Sequence, residues 1–336
     1  MEEKIIRSAS ADILKVISII AVVFIHGAFL LPSSPSYLKL FYPALRFSVP
    51  VFIFLWAFFC EKAIQRRSLK YSYLVKRFLK LLLPFTFWSL LYFLILADLH
   101  TLSLEKAITK HWTGYGFEGQ YFFIILFQLT LLFNFIRKIA LGLKRYPVLI
   151  AVFSFVFYFL IAYSNLFTSA TIIKLGDRPF FYWLPYAVLG VIYSFESLKT
   201  KANFPIIVVF VLPAFISLEK AYFHPNKLSP YLMPSVFIVS LILVTTLLQT
   251  SIDITSLKPW LNNSINLVSK NTFGIFCLNP LVVITLGRIF QSSAYIFNFP
   301  GCFIVIPIFS TLLVLLICLI FIFLLKRIGL GILVKT

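Results

Sequence analysis

Residues 302–325 read CFIVIPIFSTLLVLLICLIFIFLL and contain no charged side chain. A run of about 17 to 25 apolar residues can cross a bilayer as a helix, because a helix satisfies its own backbone hydrogen bonds where no water is present. Nine further apolar runs occur at 13–31, 47–64, 78–97, 120–136, 147–163, 180–195, 204–219, 231–249 and 272–287. The sequence therefore predicts an all-α integral membrane protein with about ten transmembrane helices.

The composition excludes a water-soluble globule. Of the 336 residues, 61% are hydrophobic and 12% are charged, whereas about a quarter of an ordinary soluble domain is charged. No fixed-period repeat and no soluble segment interrupts the apolar runs, so we expect one polytopic membrane domain over residues 1–336. The four cysteines form no C-x-x-C pair, and the sequence predicts no metal site and no permanently bound cofactor.

The positions of the basic residues predict the orientation of the chain. A net charge of +19 is also typical of nucleic-acid binding, but here Lys and Arg lie between the apolar runs. The N-terminus, the even-numbered connections and the C-terminus hold 21 of them, counting Lys15, Lys62 and Lys80 at the adjoining span ends, against 9 in the odd-numbered connections. Because cytoplasmic connections are enriched in Lys and Arg, we expect both termini in the cytoplasm. Membrane lipid, and not nucleic acid, is the expected contact of these charges.

The first apolar run carries three ionisable residues: Asp12, Lys15 and His26. Eleven residues separate Lys15 from His26, which on a helix places them on nearly the same face about 16 Å apart. A structural interpretation is that Asp12 caps the helix, Lys15 reaches the headgroups and His26 bonds a neighbouring helix. Ionisable groups inside a span are nevertheless costly, and histidine exchanges protons near neutral pH. The pattern favours a functional polar stripe.

Further charged and polar residues have two interpretations each. The basic segment 62–80 either fixes the topology or binds a polyanionic cytoplasmic ligand. Gln128 lies within the fourth run, where its amide can join helices or serve a site. Asp177, followed by Arg178 and Pro179 in a connection on the opposite side, either forms a local ion pair or turn or binds the acceptor.

Four segments resemble the membrane acyltransferase 3 family. Lys15-x10-His26, preceded by Asp12, is similar to the basic-x10-His motif of its first helix. Three later segments resemble family motifs in the same order along the chain, and they are Arg46-Phe-Ser-Val-Pro50-Val-Phe-Ile-Phe, Lys76-Arg77-Phe-Leu-Lys-Leu-Leu-Leu-Pro84 and Ser269-Lys-Asn-Thr-Phe-Gly274-Ile-Phe-Cys-Leu-Asn279-Pro280. Three positions depart from the pattern, with Trp56-Ala57 for Ser-Gly, Gly119-Gln-Tyr-Phe for His-x-Trp-Phe, and Asn279 for a late His. The departures leave the acceptor unspecified.

The resemblance implies transfer of an acyl group, usually acetyl, from cytoplasmic acyl-CoA to a hydroxyl of a cell-envelope sugar or polysaccharide. It also implies a multi-pass protein of the cell membrane, in a bacterium the inner membrane. His26 is expected to act as general base or to accept the acyl group itself. Lys15 and Arg77 are expected to hold the phosphates of the donor, with Asp12 orienting Lys15.

Two residues have weaker expected roles on the acceptor side. Arg46 is a candidate for orienting the acceptor or stabilising an oxyanion, or else it is an interfacial anchor. Asn279, beside Pro280, is a candidate hydrogen-bond donor into the cavity at a local helix break.

Other function classes remain open from the sequence. A secondary transporter or flippase for a small molecule or lipid-linked sugar would also suit proline-broken helices and a buried histidine. A non-enzymatic sensor or scaffold is a third interpretation, although it would not require a polar stripe in the bilayer.

Overall fold

A computed structural model describes residues 9–27, 41–67, 70–96, 104–164, 174–195, 207–223, 229–250, 258–291 and 305–335. Within these ranges the chain is helical and forms no strand. The α-helices are α1 (Ala9–Gly27), α2 (Ser48–Arg67), α3 (Lys70–Leu96), α4 (Leu104–Trp112), α5 (Tyr121–Leu131), α6 (Phe133–Leu143), α7 (Pro147–Tyr163), α8 (Leu184–Tyr193), α9 (Ile207–Tyr222), α10 (Pro234–Gln249), α11 (Pro259–Gln291) and α12 (Val305–Arg327). Short 3-10 helices cover Tyr42–Phe47, Phe180–Tyr182, Pro230–Leu232 and Gly331–Val334.

Each of the ten predicted spans contains α-helix among its described residues, although in the span 180–195 the α-helix covers only Leu184–Tyr193. Residues 28–31, 97, 204–206 and 302–304 of the predicted spans lie outside the described residues. Among the described helices, five are long and apolar enough to cross a membrane, or six if one bent pair counts as a single span. Helices α7, α8 and α10 are apolar but have only 10 to 17 residues. The chain is thus an all-helical, multi-pass membrane protein, and ten spans with cytoplasmic termini stay a prediction.

The predicted span 120–136 is not one continuous helix. It is divided between α5 and α6, which meet at an angle of 66°. Beyond the break, Arg137 donates from Nε to Glu61 Oε2 at 2.8 Å, and Glu61 is completely buried in α2. The bend also buries Phe133 and Ile136 in the core. The break therefore satisfies a buried carboxylate, which would be costly to leave unpaired.

Helix α1 lies at the centre of the bundle, where it contacts α2, α10, α11 and α12. Helices α2 and α8 pack closely because Gly190 has no side chain: a Cβ there would lie 2.4 Å from the carbonyl oxygen of Phe54. Close approach through small residues is typical of membrane helices. By contrast, α7 and α12 expose rows of large apolar side chains, such as Phe153 and Phe309. A soluble monomer rarely exposes so many, so these rows are the expected lipid-facing surface.

Candidate active site

A cavity of about 490 Å³ opens between the two apolar cores of the bundle. Its wall comes from α1, α2, α3, α5, α11 and the C-terminal residues Val334 and Lys335. We call it the donor cavity, and we refer to the two ends of α1 as the Lys15 side and the His26 side. The C-terminal residues stay in place because Trp88 in α3 donates from Nε1 to the carbonyl oxygen of Leu333 at 3.0 Å.

The donor cavity is strongly basic. Six cationic side chains line it and no acidic one does, among the residues the structure describes: Lys15, Lys76, Arg77, Lys80, Lys270 and Lys335. The rest of the wall is mainly aromatic and aliphatic. Cations around an apolar interior suit a ligand that has several phosphates and an uncharged arm.

Lys15 and Arg77 converge on this cavity, as their expected common role requires. The Nζ of Lys15 lies 3.4 Å from Asp12 Oδ1 and 4.6 Å from the centre of the Phe59 ring. Asp12 is buried at the start of α1, so it can orient Lys15 without entering the cavity. Arg77 donates from Nη1 to the Tyr73 hydroxyl at 3.1 Å.

Two donors in the wall lack an acceptor within the described part of the chain. They are Nε of Arg77 and Nε1 of Trp56, both shielded from solvent. An unsatisfied buried polar group costs about 1–3 kcal/mol, so each would gain from an acceptor atom on a ligand. Trp56 is one of the positions that depart from the family pattern, and its place in the cavity wall was not predicted.

At the other end of α1, His26 is paired with Asn279 of α11. The Nδ1 of His26 lies 2.5 Å from Oδ1 of Asn279, and the His26 side chain is 13% exposed. A carbonyl oxygen can only accept, so Nδ1 is the nitrogen that bears the proton. The neutral ring therefore has its lone pair at Nε2, the atom that a general base uses.

The orientation of Asn279 follows from the proline next to it. Pro280 has no N–H and cannot bond the carbonyl of Phe276 four residues earlier. Asn279 donates from Nδ2 to that carbonyl at 2.8 Å and to the carbonyl of Ile275 at 3.1 Å. Because the NH₂ group of Asn279 donates to these two carbonyls, its Oδ1 is the atom that faces His26. The sequence prediction that Asn279 donates into the cavity is wrong, because it donates to its own helix and accepts from His26.

Tyr92 bonds the backbone on both sides of this proline. Its hydroxyl donates to the Cys277 carbonyl at 2.9 Å and accepts from the Leu281 N–H at 2.8 Å. These two backbone groups are partners in a regular helix. Tyr92 itself is fully buried, and α11 stays one continuous helix from Pro259 to Gln291, without the predicted local break.

A carboxylate lies beside the free nitrogen of His26. Glu118 Oε2 is 3.8 Å from Nε2, and the Glu118 side chain is 68% exposed. The turn that carries it is held by Phe117, which stacks on Tyr92 at 4.1 Å between ring centres, and by Gly119, which has a φ of +85°. A Cβ at Gly119 would lie 3.2 Å from the Phe276 ring, so glycine lets the turn approach α11. The sequence analysis did not identify Glu118.

Aromatic side chains separate the donor cavity from His26. The cavity reaches Val22, Phe122 and Phe276, but neither His26 nor Asn279 lines it. The rings of Phe122 and Phe276 lie 5.1 Å apart. Val22 is one helical turn before His26, which corresponds to about 6 Å along α1. A group that passes from the cavity to the histidine must therefore pass these rings.

Arg46 lies on the His26 side, apart from the donor cavity. Its Nη1 donates to the Tyr231 hydroxyl at 2.9 Å, and its guanidinium carbon lies 5.0 Å from the centre of the same ring. It is within electrostatic range of His26 and of Asp177. Gln128 has a structural role, since its Oε1 accepts from the Phe180 N–H at 2.9 Å.

The described geometry thus brings Asp12, Lys15 and Arg77 together at one end of α1, and His26 and Asn279 at the other. Neither a curated protein nor a solved structure matches the chain. A family model described as an acyltransferase domain matches residues 8–327, which include all six of the predicted site residues. The chain therefore belongs to the acyltransferase 3 family, and its general activity is acyl transfer.

Proposed function

We propose that the protein transfers an acetyl group from cytoplasmic acetyl-CoA to a hydroxyl of a cell-envelope sugar or polysaccharide. It would do so as a multi-pass enzyme of the cell membrane, in a bacterium the inner membrane. The observation that carries the proposal is the pairing of an acid-free cationic cavity with an oriented histidine on one helix. Acetyl-CoA is a polyanion whose thioester ends a long uncharged arm, and it matches both parts of that arrangement.

Lys15 and Arg77 would bind the phosphates at the Lys15 side. Arginine offers paired donors to phosphate oxygens, and lysine supplies a compact charge. Arg77 is also the residue with a buried Nε in need of an acceptor. The arm of the donor would then extend along the apolar wall toward Phe276, which brings the thioester to the boundary nearest to His26.

His26 would take the proton of the acceptor hydroxyl at Nε2, while the hydroxyl oxygen attacks the thioester carbonyl. Collapse of the tetrahedral intermediate breaks the carbon–sulfur bond, and the proton passes from His26 to the departing thiolate. Glu118 would stabilise the imidazolium that exists between these steps. In the alternative order, Nε2 first takes the acetyl group and then passes it to the hydroxyl.

The decisive experiment is labelled acetyl transfer by the purified protein in nanodiscs or native membranes. Wild type should place label covalently in a glycan or lipid, and His26→Ala should reduce that transfer to background. His224→Ala is the control, because His224 lies in the connection 220–230 and is not among the candidate site residues. Near-wild-type activity of His26→Ala would overturn the catalytic assignment. Movement of a sugar across the membrane without covalent label would instead support a transporter.

A second experiment tests the donor assignment. Lys15→Ala should raise the acetyl-CoA concentration needed for half-maximal rate more than it raises the acceptor requirement. The opposite pattern would remove Lys15 from donor binding.

A further inference from the structure

A second polar cluster occupies the His26 side around Arg46. We define the Arg46 cluster as Arg46, Tyr121, Asp177 and Tyr231. Arg46 donates to the Tyr231 hydroxyl at 2.9 Å, and the rings of Tyr121 and Tyr231 lie 6.2 Å apart. Asp177 lies within electrostatic range of Arg46. Four side chains from four separate parts of the chain thus lie in one region.

One acceptor of this cluster is unsatisfied. Oδ1 of the Asp177 carboxylate is shielded from solvent and has no hydrogen-bond partner among the described residues. Burial raises the pKa of Asp177, while the nearby Ser229 hydroxyl and the charge of Arg46 oppose that rise. Its main chain is fixed, since Trp183 donates from Nε1 to the Asp177 carbonyl at 2.7 Å. A carboxylate oxygen held in this way is suited to a hydroxyl donor on a ligand.

Aromatic rings form the wall beside it. The rings of Tyr121 and Tyr231 lie 6.2 Å apart, and those of Trp183 and Tyr231 lie 5.7 Å apart. Ring faces carry a negative quadrupole, which attracts weakly positive C–H groups such as those of a sugar ring. A few convergent polar atoms beside aromatic faces are typical of small-molecule sites.

The charges around the Arg46 cluster do not select an anionic ligand. Asp177 opposes the charge of Arg46, and Glu118 adds a negative charge beside His26. Arg178 keeps its positive charge, but its nitrogens donate to the carbonyls of Leu175, Thr113 and Lys174 at 2.9, 3.0 and 2.7 Å, which hold the guanidinium on the main chain. The donor cavity, with six cations, has the opposite character.

The Arg46 cluster also lies close to the proposed catalytic histidine. Tyr121 follows Glu118 by three residues, and Glu118 contacts Nε2 of His26. Arg46 is within electrostatic range of His26 as well. A ligand on the Arg46 cluster would therefore lie next to the reactive nitrogen.

We infer that the Arg46 cluster is the acceptor subsite and that it binds an uncharged, polyhydroxylated sugar ring. Asp177 accepts a hydrogen bond from one hydroxyl, the tyrosine rings cover one face of the sugar, and a neighbouring hydroxyl is presented to His26. This inference rests on the proposed function for its catalytic meaning, although sugar binding can be measured without turnover.

The test uses two probes that differ in charge, methyl β-D-glucopyranoside and methyl β-D-glucuronide. Binding to the full-length purified protein is followed by saturation-transfer NMR, and acetylation of the same probes is followed with labelled acetyl-CoA. Wild type should prefer the neutral glucoside. Asp177→Asn keeps the shape but leaves Arg46 uncompensated, so the ratio of glucoside to glucuronide binding should fall at least tenfold. Glu105→Gln, an exposed carboxylate change in α4, should leave the ratio unchanged.

The outcomes test the acceptor subsite and the proposed acetyl transfer separately. An unchanged ratio in Asp177→Asn, or a wild-type preference for the glucuronide, would overturn the subsite even if acetyl transfer occurs. The expected change in binding without any acetyl transfer would support the subsite and contradict the proposed function. If Asp177→Asn fails to fold, Tyr121→Leu provides the second test. It should weaken glucoside binding at least fivefold while acetyl-CoA binding stays as in wild type, and an unweakened glucoside affinity would count against the inference.

Discussion

Replacing Asn279 by leucine should slow acyl transfer without weakening donor binding. Leucine has a similar volume but provides no acceptor for Nδ1 of His26 and no donor for the Phe276 carbonyl. The lost contacts are the 2.5 Å bond to the ring and the 2.8 Å bond to the helix. Without that acceptor, the tautomer protonated at Nδ1 loses about 1–3 kcal/mol relative to the tautomer protonated at Nε2. Because only the first leaves Nε2 free to act as a base, kcat should fall about five- to 150-fold.

The assay is labelled acetyl transfer at saturating acetyl-CoA, with the donor KM measured in parallel. Asn271→Leu is the matched control, since Asn271 is a second buried asparagine of α11 that donates to the carbonyl four residues earlier. It bonds Lys326 and not His26, so it reports the cost of the same replacement outside the site. A kcat within twofold of wild type for Asn279→Leu, beside an inactive His26→Ala, would refute the tautomer argument. An equal loss in Asn271→Leu would show a general structural effect.

Three further predictions concern other parts of the molecule. Phe276→Ala should widen the boundary of the donor cavity, so the rate with butyryl-CoA relative to acetyl-CoA should rise about tenfold; an unchanged ratio would show that this ring does not limit the acyl group. Ending the chain after residue 330 should remove one wall of the cavity together with Lys335, and the donor KM should rise while the acceptor KM does not. Glu61→Leu should leave Arg137 without its buried partner and destabilise the protein by about 3–5 kcal/mol, measured by thermal unfolding in detergent. Adding Arg137→Leu should recover part of that loss, and a simple sum of the two effects would contradict a direct ion pair.

The sequence predicted the helices well because lipid imposes a length and a polarity that can be seen in one chain. It placed 147–163 where α7 is found, and it selected Lys15 and Arg77, which now line one cavity. Continuous hydropathy could not show the break between α5 and α6, because the run itself does not reveal that Arg137 pairs with Glu61, 76 residues earlier. It also placed the start of the ninth span at 272, whereas α11 begins at Pro259. That first part is too polar to be detected as lipid-facing helix.

The contacts between residues of the candidate site were harder to predict from the sequence. His26 and Asn279 are 253 positions apart, and a single sequence contains no signal for contact at such a distance. Glu118 and Trp56 were missed for a related reason, since an exposed glutamate in a connection and one aromatic residue in an apolar run are both common. The only available signal for Asn279 was the adjoining proline, which indicated a helix break but not the direction in which the amide would point.

That proline makes four positions on three helices depend on one another. Pro280 leaves the Phe276 carbonyl without its backbone donor, and the Asn279 amide donates to that carbonyl. Tyr92 accepts from the Leu281 N–H. The Asn279 oxygen, oriented in this way, accepts from Nδ1 of His26 and so determines which ring nitrogen bears the proton. A change of Pro280 to a residue that can complete the helix would alter the chemistry of a ring that it does not touch. Within the family, we expect substitutions at these four positions to occur together. A relative with another residue in place of Asn279 should then also differ at Pro280 or Tyr92.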